Sequence, residues 1–295
     1  MPDTHLYGRR SERRREKARL RVERRRRVLA GVGIGLAVLV VAGLVGGIII
    51  FRKVKADKAR KVVTYSVTIP EGFTNEQTAE RVAEETKGSI SRAEFLAALE
   101  QDYDYPFLDG AYLETGPEAR MQGFLFPKTY EATNKSSARA VVNKLLHQYG
   151  VETGDLDWSR ASSLGLTPYQ VLIAASLIEK EAKLADDRPL VASVIYNRLA
   201  GNMKLQFCST VEYALGEWKE TLTEEDLEVD SPYNTYQVSG LPPTPICNPG
   251  FESIRAALYP AATDYLYFIL TGPDGKHSFT GDYQQFLLWK KQQGG

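Results

Sequence analysis

TPYQVLIAASLIEKEAKLADDRPLVASVIYNRL, residues 167–199, decides how the rest of the chain is read. Thr167, Pro168 and Gln170 open a helix with a capping hydroxyl, a proline at the first helical position and a glutamine that reaches back to the cap. The pattern predicts a helix to about Leu184. Its first turns, through Val171, Leu172, Ile173, Ala174, Ala175, Leu177 and Ile178, are apolar on every side, the mark of a helix buried inside a domain. Charge begins at Glu179, which shares a face with Leu172, Ala175 and Ser176 and so stands at the edge of the core. A carboxyl group in that setting suits a general acid working near neutrality. An ion pair with Lys183, one turn on, is the plainer reading of this helix taken alone.

Working outward, a second helix is predicted over 187–199. Pro189 lies in its first turn, Leu190, Val191, Val194, Ile195 and Leu199 face the core, and Tyr196, Asn197 and Arg198 close its end. Upstream, residues 136–149 form an amphipathic helix with Val141, Val142, Leu145 and Leu146 inward. Residues 62–69 (VVTYSVTI) alternate as a strand does, capping boxes at 74–77 and 91–94 open helices over 75–86 and 92–101, and GFLFPKTY at 123–130 reads as a returning strand. Downstream, 253–258 reads as a short helix and YLYFIL at 265–270 as a buried strand. The fold class is therefore α+β.

The 37 basic and 37 acidic residues balance over the whole chain, but not along it. Through Lys61 there are 18 Lys and Arg against 5 acidic residues, leaving 19 against 32 beyond and a net charge of −13 there. That excess disfavours a nucleic-acid role for the folded part. The basic residues flank one apolar run, 28–51, whose 24 residues suffice to cross a bilayer. The run is longer than a signal-peptide core and lacks a small-residue cleavage site, so it reads as an uncleaved single-pass anchor. The arginines of 9–27 predict a cytoplasmic N-terminus and place everything after the span on the other side of the membrane. The expected organisation is a basic tail (1–27), a transmembrane helix (28–51), a linker (52–61), a small strand–helix–helix–strand unit (62–132) and a mixed α+β domain (133–295).

Beyond residue 203 the chain becomes rich in neutral hydrogen-bonding groups and flat rings: Gln206, Ser209, Thr210, Tyr213, Asp230, Tyr233, Asn234, Thr235 and Tyr236. Sugars offer hydroxyls to amides and ring faces to aromatics, and such a set suits a carbohydrate cleft. GLPPTPICNPG at 240–250 carries four prolines and predicts a rigid extended loop. His277 follows a Gly-Pro-Asp-Gly turn and reads either as a cleft residue or as a structural histidine. Cys208 and Cys247 both lie in the part expected outside the cytoplasm, where a disulfide can form. With neither C-x-x-C nor H-E-x-x-H, and only His5, His147 and His277, no metal site is expected.

Taken together, LIEKEA at 177–182, VASVIYNRL at 191–199, LQ at 205–206, TVEYALG at 210–216, DSPYNTY at 230–236, GLPP at 240–243, CNPG at 247–250, YLYF at 265–268 and HSF at 277–279 resemble the MltG (YceG-like) family of membrane-anchored endolytic murein transglycosylases. The resemblance covers most of 123–279, in the family's order. The strand–helix–helix–strand order of 62–132 resembles a LysM-like module, a sugar-holding unit or a plain structural adaptor, and with the single N-terminal span it matches the family's layout. Gln122 and Lys128 stand where the family is often acidic, Phe207 where a serine usually follows LQ, and Thr244 where glycine is common.

By this resemblance Glu179 corresponds to the catalytic glutamate of a lytic transglycosylase, a carbon–oxygen lyase that needs no cofactor. Such an enzyme cleaves the β-1,4 bond between N-acetylmuramic acid and N-acetylglucosamine in nascent strands, leaves 1,6-anhydro ends and terminates elongation. Asn197, Gln206, Tyr233, Asn234, Tyr236 and His277 are the expected substrate-contacting residues, with Glu181 and Asp230 as supporting acids. Peptidoglycan glycan is the implied substrate, and a membrane-bound glycan synthase the implied partner. Two alternatives stand: a hydrolytic muramidase using Asp230 or Glu181 as a second carboxylate, and a non-catalytic glycan-binding scaffold.

Overall fold

The computed structural model describes residues 43–52, 61–109, 121–219, 221–272 and 274–293. The chain divides into two compact units, Met1–Lys61 and Val62–Gly295. In the first, residues 43–52 are helical (α1). The basic tail, most of the predicted span 28–51 and most of the linker lie outside the described residues. Among the described residues no helix is long and apolar enough to cross a membrane.

The second unit opens with β1 (Thr64–Thr68), α2 (Asn75–Glu85), α3 (Arg92–Leu99) and β2 (Thr129–Thr133). The strands pair antiparallel, Thr64 opposite Thr133 and Thr68 opposite Thr129. Both capping boxes form, Thr74 with Gln77 and Ser91 with Glu94. One expectation fails here. The predicted strand 123–130 becomes a buried loop that enters β2 only at Thr129, with Gly123 at φ 96°. Its cause is distant in sequence: the backbone N–H groups of Gly123 and Leu125 donate to the Asn248 side chain and so cannot join a ladder.

Then follow α4 (Ala138–Thr153), α5 (Arg160–Ser163), α6 (Pro168–Glu181), α7 (Arg188–Ala200), α8 (Cys208–Leu215), α9 (Glu224–Leu227), α10 (Phe251–Leu258), β3 (Tyr267–Leu270), β4 (His277–Thr280) and α11 (Tyr283–Gln292). The α6 capping box is present with Pro168 in the first turn, and every residue from Val171 to Ile178 is buried. The helix stops three residues short of the predicted end because Ala182 turns extended, at φ −99° and ψ 106°. A 3-10 turn, Ala185–Asp187, then leads directly into α7. Helices α7 and α10 pack on α6. They belong to one core that reaches from Val67 on β1 to Leu258 on α10.

β3 and β4 form a two-stranded antiparallel ribbon, Leu270 opposite His277. The predicted strand 265–270 is thus shorter and less buried than its composition suggests. α11 packs against the ribbon, yet Leu270 is half-exposed because no third strand shields it.

Candidate functional site

Glu179 sits in the last turn of α6, its side chain only 8% exposed. Two groups meet its carboxylate. The backbone N–H of Gly250 donates to Oε2 at 2.9 Å, and Arg188 Nη2, from the start of α7, lies 4.0 Å from Oε1. The same Nη2 lies 4.0 Å from Oε2 of Glu71, which follows β1. Arg188 Nε is buried with no hydrogen-bond partner. Lys183 takes no part in this cluster; its side chain passes against Gly275.

The proline-rich loop brings Gly250 to this place. On α6, Ser176 Oγ accepts the Ile246 N–H at 3.0 Å, and Cys247 Sγ donates to the Ser176 carbonyl at 3.3 Å. One residue on, Asn248 is fully buried and binds two segments. Its Oδ1 accepts from Gly123 N (2.9 Å) and Leu125 N (3.0 Å), its Nδ2 donates to Phe73 O (3.0 Å), and its main chain pairs with Gly72 and Phe73. Four prolines remove the loop's freedom, and these bonds fix its register.

A cleft of about 650 Å³ opens beside the end of α6. Lys180, Gln77, Gln122, Tyr213 and Trp218 are among its lining residues. Trp218 is 74% exposed. Gln122 is buried, its Oε1 accepting from Asn75 N at 2.9 Å while its Nε2 has no partner.

The other predicted residues are spread differently. Glu181, two positions beyond Glu179 and so about 200° around the helix, accepts from Ser209 Oγ at 2.6 Å. Burial holds its carboxyl above the usual range, and Ser209 and His277 pull the other way. His277 Nδ1 lies 2.9 Å from Asp187 Oδ2, which also accepts the His277 backbone N–H at 2.9 Å. The histidine thus ties β4 to the start of α7. Asn197 spends its amide on the carbonyls of Thr263 and Tyr265, both at 2.9 Å. Asn234 is fully buried and donates to Leu227 O and Val229 O, both at 2.9 Å. These two amides hold backbone in place and do not face the cleft. Tyr233 Oη pairs with Thr244 Oγ1 at 2.8 Å, and its ring meets Tyr213 with centroids 4.8 Å apart. Tyr236 Oη lies 3.3 Å from Cys208 Sγ, and burial pushes its phenol up. Gln206 is exposed at φ 53°, and Asp230 is exposed. Arg188, Glu71 and Asn248 carried no helical or strand periodicity that would have singled them out.

The expected disulfide does not form: both cysteines are free, Cys208 exposed and Cys247 buried against α6. Each thiol is engaged elsewhere, by Tyr236 and by the Ser176 carbonyl. Titration of the native protein with a thiol reagent will therefore label Cys208 alone, and Cys247 only on unfolding. Two equally protected sulfurs that become reactive after reduction would contradict this arrangement. Among the described residues no group of three or more His, Cys, Asp and Glu is placed to hold a metal ion.

The YceG-like family matches residues 49–292. The chain is 37% identical over 227 residues to the endolytic murein transglycosylase of Bacillus subtilis (strain 168), covering 73% of this chain and 61% of that protein. It is 32% identical over 242 residues to the endolytic murein transglycosylase of Streptococcus pneumoniae (strain ATCC BAA-255 / R6), covering 76% and 44%. The chain thus matches less than two thirds of the length of either relative. The 2.6 Å crystal structure of a YceG-like protein from Listeria monocytogenes is similar with a TM-score of 0.64 at 37% identity, covering 75% of this chain and 74% of that one.

Proposed function

Because the chain belongs to the YceG-like family, we propose that it is an endolytic lytic transglycosylase acting on the glycan of murein. The single observation that carries this reading is the setting of Glu179: a carboxyl group 8% exposed, at the end of a buried helix, gripped by one backbone N–H and facing one guanidinium. Protonated, Glu179 gives its proton to the β-1,4 oxygen between N-acetylmuramic acid and N-acetylglucosamine as the C1–O bond breaks. It then takes the proton of the muramic C6 hydroxyl, whose oxygen closes onto C1 to leave a 1,6-anhydro end. The attacking hydroxyl belongs to the same sugar, an advantage in proximity that water lacks. Support for this route over hydrolysis comes from Asp230, which is exposed, and Glu181, which is engaged by Ser209.

Product analysis tests the reaction. The full chain in detergent, given uncrosslinked glycan strands, should yield anhydro-muramic ends within the strands by mass spectrometry. Reducing ends would make it a muramidase, and intact strands a glycan-binding scaffold.

The cleft is the proposed seat of the strand, with Trp218 stacking on a sugar face and Gln122 Nε2 donating to an acetamido oxygen. Trp218→Ala should raise KM about 3- to 10-fold, the worth of one aromatic contact, with kcat unchanged. An unchanged KM would place the strand elsewhere. The remaining parts of the proposal rest on the sequence. The strand–helix–helix–strand segment serves as the LysM-like module, and residues 28–51 anchor the chain in the cell membrane with 62–295 on the extracytoplasmic face. The exposed Ile48, Ile49, Ile50 and Phe51 of α1 support an anchor. A membrane-bound glycan synthase supplying the nascent strand is the proposed partner.

A further inference from the structure

Glu71 meets the Glu179 site from a different part of the fold. After β1 the chain turns through Gly72, whose φ of 78° is left-handed, and the Gly72 N–H donates to Asn248 O at 3.0 Å while Asn248 N donates to Phe73 O at 2.8 Å. This pins the turn to the proline-rich loop and lays Glu71 over Gly250. A Cβ at Gly250 would run into the Glu71 carboxyl group, so a side chain there would displace the carboxylate. That same Gly250 supplies the N–H that grips Glu179 Oε2. On the far side, Arg188 Nη2 stands 4.0 Å from both Glu71 Oε2 and Glu179 Oε1. Two carboxyl groups, 108 positions apart in sequence, are thus held by one glycine and one guanidinium.

We propose that Glu71 is a positioning residue of this site: by sharing Arg188, it keeps that guanidinium from fixing Glu179 in its ionised form. The inference rests on the transglycosylase reading above. A residue that is acid in one half of a turnover and base in the other needs surroundings that hold neither form too firmly. Arg188 favours the carboxylate that exists after the leaving oxygen has been protonated. Glu71, charged, favours the acid that must exist before it. The other charged or titratable groups here are Lys180 on α6, Cys247 on the loop and Glu252 on α10. The Glu71 carboxyl is itself held above its ordinary range, first by burial and next by the charge of Glu179.

The test is kcat/KM against pH for the full chain and its Glu71→Gln variant, on uncrosslinked glycan strands, with ends identified by mass spectrometry. Without Glu71, Arg188 acts on Glu179 unopposed, the ionised form prevails at lower pH, and the basic limb moves down by about 1 pH unit. Activity on the basic limb therefore falls about tenfold, recovers toward that of the unaltered protein as the pH is lowered, and still gives anhydro ends. Glu71→Asp should restore part of the limb, and since half the Glu71 side chain is exposed, the thermal midpoint of Glu71→Gln should stay within a few degrees. A profile lowered equally at every pH, or not moved at all, overturns the inference. If the unaltered chain makes reducing ends, the transglycosylase reading fails by itself, and Glu71 is judged by whether the same limb shift accompanies them. No cleavage at all overturns both.

Discussion

Glu179→Gln yields a folded protein whose strand cleavage falls by at least about 10³-fold, within the range that general acid–base groups contribute. The substitution keeps the shape of the side chain and leaves an oxygen to accept the Gly250 N–H. What it removes is the transferable proton and, in the second half of the reaction, the base that recovers it. One residue is asked to do both, so no second group compensates. Stability should change little, because the Arg188 contact that is lost is a 4.0 Å approach shared with Glu71 rather than a close bidentate pair. Release of anhydro ends, measured beside a thermal melt, separates the two effects. A variant that keeps more than about a tenth of the activity would remove Glu179 from the chemistry, since loss of an acid–base group costs at least about 10²-fold.

Asn248→Ala is expected to do the reverse, cutting deeply into the fold's stability margin and loosening the site with it. Asn248 is fully buried and bonds three backbone groups on two segments through one amide. Truncation strands the N–H groups of Gly123 and Leu125 and removes one of the two bonds that the Phe73 carbonyl accepts. Each buried group left unpaired costs about 1–3 kcal/mol, so a loss of about 3–5 kcal/mol is expected against the 5–15 kcal/mol typical of a domain. For a unit of this size that lowers the thermal midpoint by about 10 °C. Asn248→Asp, which keeps an acceptor and loses the donor, should fall between. A midpoint moved by less than about 2 °C would mean that water replaces these bonds without cost.

The parts of this structure that were legible in the sequence are those with local causes. Thr167, Pro168 and Gln170 announce α6 because a capping box is written in four consecutive residues, and the apolar run after it leaves only a buried setting. The strand–helix–helix–strand order was readable for the same reason. The partners of Glu179 were not. Gly250 contributes a backbone N–H, which no side chain reports, and Arg188 approaches Glu179 from the start of the next helix, α7. The loop at 123–126 looks like a strand because its apolar residues are buried, but a distant asparagine takes the N–H groups a strand would use. Asn197 and Asn234 misled for a related reason. An amide able to bind a sugar hydroxyl binds a carbonyl equally well, and only the partners that the fold brings to it distinguish the two.

The Asn248 bonds also govern when the site comes into being. They join positions 125 and 175 residues apart, and contacts of such sequence separation are entropically slow to close. A chain made from its N-terminus forward can build β1, α2, α3 and α6 while Gly250 and Asn248 are still unmade. Until they arrive, the buried amides of 123–125 lack partners and Glu179 lacks its backbone donor. The protein therefore completes the surroundings of Glu179 late in its own assembly, and every shorter intermediate carries Glu179 on a helix without its backbone donor.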